Sequence, residues 1–167
     1  ADLAIRYFRP TSNQLVAARV GQFNMSIFAA PSYVEQYGLP QRLEDLTEHH
    51  IVDHTTLHSL PVMKMWSEVV ERSTSVVLRT NSSYASLEAV KVGYGLSVFP
   101  DYVVKAQNVI RAPIDLNITR DIWLVSHEET NKGARIRTVI DYVRERFRQD
   151  EREWFSLTPH RVALVAS

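Results

Sequence analysis

The chain has 167 residues, with 19 lysines and arginines, 19 aspartates and glutamates, six histidines and no cysteine. A chain of this length forms one domain or two small lobes, and it buries about 68–70% of its unfolded surface without needing a disulfide or a metal. The balanced charge lacks the cationic excess that nucleic-acid binding requires. The absence of cysteine excludes thiol nucleophiles, iron–sulfur clusters and cysteine-ligated zinc, and it is compatible with a reducing compartment such as the cytoplasm.

The longest apolar run, residues 162–166, is far shorter than the ~20 residues of a membrane-spanning helix. No basic segment followed by an apolar one opens the chain, so we expect a soluble, unsecreted protein without membrane contact. Residues 2–8 are strand-like, have no helix cap before them and indicate the middle of a fold, so we expect a preceding segment. The last residues, 156–167, fit a tail, an extra strand or a cloning remnant.

Strands and helices alternate along the chain. Apolar and β-branched runs predict strands at residues 2–8, 15–20, 25–30, 50–53, 75–80, 96–99, 109–110 and 121–126. Caps, prolines and helical spacing predict helices at 31–37, 43–47, 83–92, 100–106 and 134–149, whereas 55–66 lacks a clear period and is assigned to a loop. The alternation predicts a parallel-rich α/β fold, with helix 83–92 buried between layers and strand 121–126 covered on both faces.

Four histidines, His49, His50, His54 and His58, are the strongest candidates for metal ligands. The last three are spaced by four residues and would line one face of a helix. The neighbouring residues 51–52 instead favour a strand, on which residues four apart are separated by ~13 Å, too far to share a metal. The sequence therefore predicts surface or hydrogen-bonded histidines and no metal site.

The sequence offers no catalytic motif. It has no Gly-x-Ser-x-Gly elbow, no His-Glu-x-x-His and no glycine-rich phosphate loop. The run Gly93-Tyr94-Gly95 follows a helix and precedes a strand, the reverse of a dinucleotide fingerprint. The adjacent carboxylates at 44–45 and 128–129 point apart on most backbones. We therefore expect no catalytic residues, no cofactor and no enzymatic activity.

One junction is suited to an anion. Asn81, Ser82 and Ser83 lie between a strand and a helix, where free backbone N–H groups and the positive end of the helix dipole favour a carboxylate or phosphate. The same residues would equally serve only as a helix cap. Arg6 ends the first strand, where open α/β sheets place ligand-contacting loops, and is either a second anion partner or a surface arginine.

Several short blocks of sequence between residue 2 and about residue 148 together resemble the sequence pattern of a known protein family. They are DLAIR at 2–6, IFAAPSYV at 27–34 with Gly38 and Pro40, LEDL at 43–46 with His49, Asn81 with Leu87, Ala89, Val90 and Gly93, GLSVFPDY at 95–102, IWLV at 122–125, and RIR at 135–137 with IDYV at 140–143. In this order they resemble the effector-binding domain of LysR-type transcriptional regulators. No single block is specific, and the order of the blocks carries the identification. Residues 55–66 depart from the family's usual pattern.

The resemblance implies an α/β fold like the type 2 periplasmic-binding proteins, with mixed or parallel sheets flanked by helices in two lobes. The first lobe, incomplete in this chain, would comprise residues 1–19 and 114–150, the second lobe 20–113, and the C-terminal tail 151–167. A small molecule would bind between the lobes. The implied effector-binding residues are Arg6, Tyr7 and Phe8 on one side and Asn81, Ser82, Ser83, Phe99 and Pro100 on the other.

The implied function is effector sensing in the cytoplasm of a bacterium. A small organic anion would shift lobe closure in a dimer or tetramer, and DNA would be bound only through a winged helix-turn-helix absent from this chain. The alternatives are a solute-binding protein of a transport system, which shares the fold, and an enzyme with an unrecognised site. The upstream reading frame discriminates the first two, since a helix-turn-helix indicates the regulator and an export signal the transport protein.

Overall fold

The computed structural model describes residues 2–105, 107–127 and 133–150. The described residues divide into two compact units: a first unit of residues 2–24, 119–127 and 133–150, and a second unit of residues 25–105 and 107–118. The carboxylates at 128–129 and the C-terminal tail lie outside the described residues. No helix in the described ranges has the length and apolar character needed to cross a membrane.

The first unit contains a small antiparallel sheet. Its strands are β1 (Leu3–Arg6), the first part of β2 (Leu15–Ala29) and β7 (Thr119–His127), in the order β1–β7–β2. The predicted amphipathic helix is confirmed as α5 (Ala134–Asp150). Ile122, Leu124 and Val125 of β7 are buried, so their apolar run reflects cover on both faces. Both neighbours of β7 are antiparallel, because a strand covered on both faces does not require parallel neighbours, so the parallel-rich pairing predicted from the alternation of strands and helices is not found in this unit.

The second unit is built on a mixed sheet in the order β2–β5–β3–β4, with β6 pairing β2 separately. The strands are β3 (Ile51–His54), β4 (Val76–Thr80), β5 (Leu96–Pro100) and β6 (Ile110–Arg111). β3 runs parallel to β4 and β5, whereas β2 is antiparallel to β5 and β6. The helices are α1 (Pro31–Tyr37), α2 (Lys64–Arg72), α3 (Ser83–Lys91) and α4 (Asp101–Val104).

Two predicted strands, 15–20 and 25–30, are a single strand in the structure. The glycine and polar residues between them indicated a break. A register shift against β7 between Arg19 and Gly21 accommodates this segment instead, and β2 continues through it.

The predicted loop 55–66 is mostly helical. Two short 3₁₀ helices, Thr55–Ser59 and Pro61–Met63, lead into α2. Trp66, Val69 and Val70 are buried at helical spacing and form the apolar face of α2. The end of the predicted loop, residue 66, therefore lies within this helix. The start of α2 carries no cap signal, because its N-cap residue, Met63, offers no oxygen for the first turn.

Helix α3 is less buried than its sequence predicts. Ser86 and Val90 are its buried residues, and Tyr84 is 74% exposed. Val90 packs in a cluster with Phe28, Val52, Phe99 and Val104. The helix therefore covers the sheet on one side only, and the prediction that it lies between layers is wrong.

Candidate functional site

The N-terminus of α3 lies at the carboxyl end of β4. The N-cap is Ser82, whose Oγ accepts a hydrogen bond from the Ala85 N–H at 3.3 Å. The Ser82 N–H in turn donates to Thr80 Oγ1 at 3.1 Å. The helix cap predicted from the sequence is therefore confirmed.

Two backbone donors remain at this helix end. The Ser86 N–H donates to the Ser82 carbonyl at 3.0 Å, and Ala85 is capped by the Ser82 side chain. In the part of the chain that the structure describes, the N–H groups of Ser83 and Tyr84 have no recorded acceptor. Residues 81–85 are all exposed, so these donors and the positive end of the helix dipole lie at the surface.

A buried histidine lies behind Ser83. The register of the parallel pair β3–β4 places His54 opposite Thr80, next to the start of α3. His54 Nε2 is 3.0 Å from Ser83 Oγ, and the Thr55 hydroxyl donates to the Thr80 carbonyl at 3.3 Å. The end of β3 is thus tied to the β4–α3 junction. The sequence predicts a surface or hydrogen-bonded histidine at this position, and the place of His54 at the end of a strand is the signal that brings it to this junction.

Asp53, the neighbour of His54, points to the opposite face of the sheet and is fully buried. Its Oδ1 lies 2.7 Å from His58 Nε2, and its Oδ2 lies 3.6 Å from an Arg79 guanidinium nitrogen. A carboxylate oxygen only accepts, so Nε2 carries the hydrogen. His58 Nδ1 is 2.8 Å from Ser67 Oγ, which links β3 to α2.

The hydrogen-bonded role expected for the histidines is confirmed for His49, His54 and His58. Among the described residues, no cluster of three or more histidine, aspartate or glutamate side chains is placed to hold a metal.

Phe99 and Pro100 lie at the end of β5, in the same unit. The Phe99 ring belongs to the core cluster with Val90 and is 4% exposed. Pro100 pairs with Met25 in the sheet and precedes α4. Their contact with an effector stays a prediction.

The other predicted site residues belong to the first unit. The Arg6 guanidinium lies 5.5 Å from the centre of the Phe8 ring, and Phe8 is exposed. The Tyr7 ring packs edge-on against Phe23 at 5.2 Å, and its carbonyl accepts a hydrogen bond from Arg120 at 2.9 Å. The structure groups these three residues locally, and their effector contact stays a prediction.

The first unit also has a cavity of about 700 Å³, for which the sequence carries no motif. It is lined by Arg9, Pro10, Thr11, Ser12, Asn13, Leu15 and Ala17. The Arg9 guanidinium lies 5.5 Å from the centre of the Trp123 ring. None of the predicted effector-binding residues lines this cavity.

Residues 1–148 match the family model described as the LysR substrate binding domain. An HTH-type transcriptional regulator of Xanthomonas campestris is 30% identical over 111 residues, which are 63% of this chain and 32% of the relative. An uncharacterized HTH-type transcriptional regulator of Haemophilus influenzae is 25% identical over 114 residues, 62% of this chain and 36% of the relative. The chain therefore spans about one third of the length of these curated relatives.

Among solved structures, the regulatory domain of CrgA, a LysR-type transcriptional regulator from Neisseria meningitidis, superposes with a TM-score of 0.72. The two chains are 19% identical, and the match covers 87% of this chain and 75% of the other. At this identity the likeness establishes the fold.

Proposed function

Because the chain belongs to the LysR substrate-binding domain family, we propose that it is the effector-sensing part of a transcription regulator and recognises a small organic anion. The family resemblance and the α/β fold of the type 2 periplasmic-binding kind, both expected from the sequence, are confirmed. Ligand binding and control of transcription are general to the family, whose members are regulators and not enzymes.

The exposed start of α3 is the observation that carries the anion proposal. The N–H groups of Ser83 and Tyr84 and the hydroxyl of Ser83 lie together at the positive end of the helix dipole. Such a cluster binds a carboxylate or phosphate without any cationic side chain. We assign Ser82 to the cap and Ser83 to the ligand, because the Ser82 Oγ already accepts the Ala85 N–H.

The regulator as a whole is proposed to be a cytoplasmic homodimer or tetramer that binds DNA through a winged helix-turn-helix. Both curated relatives are described as HTH-type regulators, which supports this view. An effector alters such a regulator only by its different affinity for two states of the protein. The alternative of a transport solute-binding protein shares the fold, and no observation favours it.

A thermal-shift titration of the chain tests the proposal. The ligands are small carboxylates, aromatic acids, amino acids and inorganic phosphate. A ligand at 100 times its Kd stabilises by about 2.7 kcal/mol, which shifts the Tm by several degrees at this size. Saturable shifts confined to anions are expected, whereas hits confined to neutral or cationic compounds, or no hit at all, would contradict the proposal.

Two serine variants then locate the site. Ser83→Ala should weaken the anion hit, because it removes a donor beside the free N–H groups. Ser59→Ala is the matched control, since the exposed Ser59 hydroxyl donates only to the Thr56 carbonyl at 2.8 Å in the same unit. Equal affinity in the two variants would place the effector elsewhere.

A further inference from the structure

The contact between His54 and Ser83 raises the question of which group donates. His54 is 9% exposed, and its Nε2 approaches Ser83 Oγ at 3.0 Å. Its other ring nitrogen, Nδ1, is buried and has no hydrogen-bond partner among the described residues. The nitrogen that contacts the exposed start of α3 is therefore Nε2, and the unpaired nitrogen is Nδ1.

Two neutral forms of the His54 imidazole are compatible with this distance. If Nε2 is bare, the Ser83 hydroxyl donates inward, and the hydrogen on Nδ1 is a buried donor without an acceptor. If Nε2 carries the hydrogen, Ser83 Oγ accepts it and Nδ1 is a buried lone pair. Orphaned buried N–H groups are rarer than under-satisfied acceptors, so the second arrangement is favoured.

The two arrangements present different groups to a ligand. With Nε2 bare, Ser83 Oγ offers only lone pairs to the outside and repels an anionic oxygen. With the hydrogen on Nε2, the Ser83 O–H is free to turn outward and joins the N–H groups of Ser83 and Tyr84. Three donors then meet at one surface site, which suits a carboxylate or phosphate oxygen.

We propose that His54 is a positioning residue, whose Nε2–H donates to Ser83 Oγ and thereby turns the Ser83 hydroxyl outward as a donor for an anionic oxygen. The role of this donor in effector recognition rests on the proposed function. The position of the His54 proton is a property of the chain without ligand, so it can be tested separately.

The first test is ¹⁵N NMR of the labelled chain. Two-bond ¹H–¹⁵N correlations of the imidazole ring distinguish the two neutral tautomers, and the His54→Gln variant assigns the His54 signals by their loss. The Nε2–H tautomer is expected in the unliganded protein. A hydrogen on Nδ1 and a bare Nε2 would overturn the proposal, whatever the ligand results.

The second test measures the affinity for sodium benzoate and for inorganic phosphate by calorimetry. His54→Leu removes the Nε2 donor and leaves the Ser83 hydroxyl free to rotate, so it should weaken the anion that binds, by less than the about tenfold loss expected when Ser83→Ala removes one hydrogen bond to a charged group. His54→Gln places an amide N–H near the position of Nε2 and should restore most of the affinity. Comparison of benzoate with phosphate shows which anion class the site takes.

A double-mutant cycle separates positioning from a structural role. In the Ser83→Ala background, His54→Leu should have no further effect on anion affinity, because the hydroxyl that it orients is gone. An undiminished effect in that background, or no rescue by glutamine, would overturn the proposal. If neither probe binds the wild-type chain, the proposed anion site fails, and the NMR tautomer still decides the assignment of His54.

Discussion

The Tyr33 hydroxyl joins two neighbouring histidines of a different segment: its oxygen lies 2.9 Å from His49 Nδ1, within hydrogen-bond distance, and accepts the His50 N–H at 3.0 Å. Tyr33 is 1% exposed, so both of these hydrogen bonds lie inside the protein. Burial raises the pKa of Tyr33, and the hydrogen bond from the His50 N–H opposes that effect. The contact fixes α1 against the segment that enters β3.

Removing this hydroxyl should destabilise the second unit. Tyr33→Phe leaves the His50 N–H and His49 Nδ1 without their partner in a half-buried place, at a cost of about 1–3 kcal/mol in the free energy of unfolding. The matched control is Tyr37→Phe. The Tyr37 ring also contacts Tyr33 and His50, but its hydroxyl has no recorded partner among the described residues. Urea unfolding compares the variants, and equal losses would show that the hydroxyl contributes nothing specific.

The same contact predicts a pH dependence. Burial lowers the pKa of His49 below its ordinary value of 6.5, an effect that the Asp45 charge partly opposes. The unfolded chain therefore binds more protons than the folded chain when the pH falls below 6.5, and stability is lost as the pH falls through the lowered folded pKa.

Urea unfolding between about pH 7.5 and about pH 5.5 measures this loss. The wild-type chain should lose more stability over that interval than His49→Gln, in which the titrating ring is absent. A wild-type curve parallel to that of the variant would show that His49 does not contribute to the pH dependence.

The fold was predictable where local chemistry decides. Pro31 at the first turn of α1 and Ser82 before α3 are residues that helix starts require, and both helices lie where the sequence placed them. Helix α2 has no such signal, since its stability comes from burying Trp66, Val69 and Val70. The direction of strand pairing could not be predicted from the local sequence pattern either. A strand that is buried on both faces can have parallel or antiparallel neighbours.

The candidate site depends on more than local sequence. Ser83 is predicted from its place before a helix and stays a prediction, whereas His54 lies 29 positions away and meets it through the register of β3 and β4. The four-residue spacing of His54 and His58 would allow both to bind one metal ion if the segment were helical. In the structure the two rings serve different partners, Ser83 and Asp53.

Gly95 is predicted to be intolerant of any side chain. A Cβ at this position would lie 2.5 Å from the His50 carbonyl oxygen, which accepts the Leu96 N–H at 2.9 Å and starts the pairing of β5 with β3. Because the clashing atom is a backbone oxygen and not the end of a flexible side chain, the clash is relieved only if the two strands move apart. Gly95→Ala should lower the free energy of unfolding by about 1–3 kcal/mol. Tyr94→Ala, an exposed change in the same turn, is the control for thermal unfolding, and Gly95→Ala should have the lower Tm.

The partners of the buried Asp53 carboxylate are predicted to differ in importance. His58 Nε2 lies 2.7 Å from Oδ1, and its side chain is 30% exposed, whereas the Arg79 contact to Oδ2 is 3.6 Å long and its side chain is 59% exposed. Solvent screens the arginine, and its exposed ion pair is worth less than about 1 kcal/mol. His58→Leu removes the hydrogen bond to a charge that cannot reach water, at a cost of about 1–3 kcal/mol.

Arg79→Met is the matched variant for this comparison, because it removes the positive charge and keeps most of the apolar length of the side chain. Urea unfolding at low and high salt distinguishes the two contributions. The small loss in Arg79→Met should shrink further as salt rises, whereas the larger loss in His58→Leu should persist, because the buried contact is screened much less. A larger loss in Arg79→Met than in His58→Leu would show that the guanidinium, and not the imidazole, stabilises the buried carboxylate.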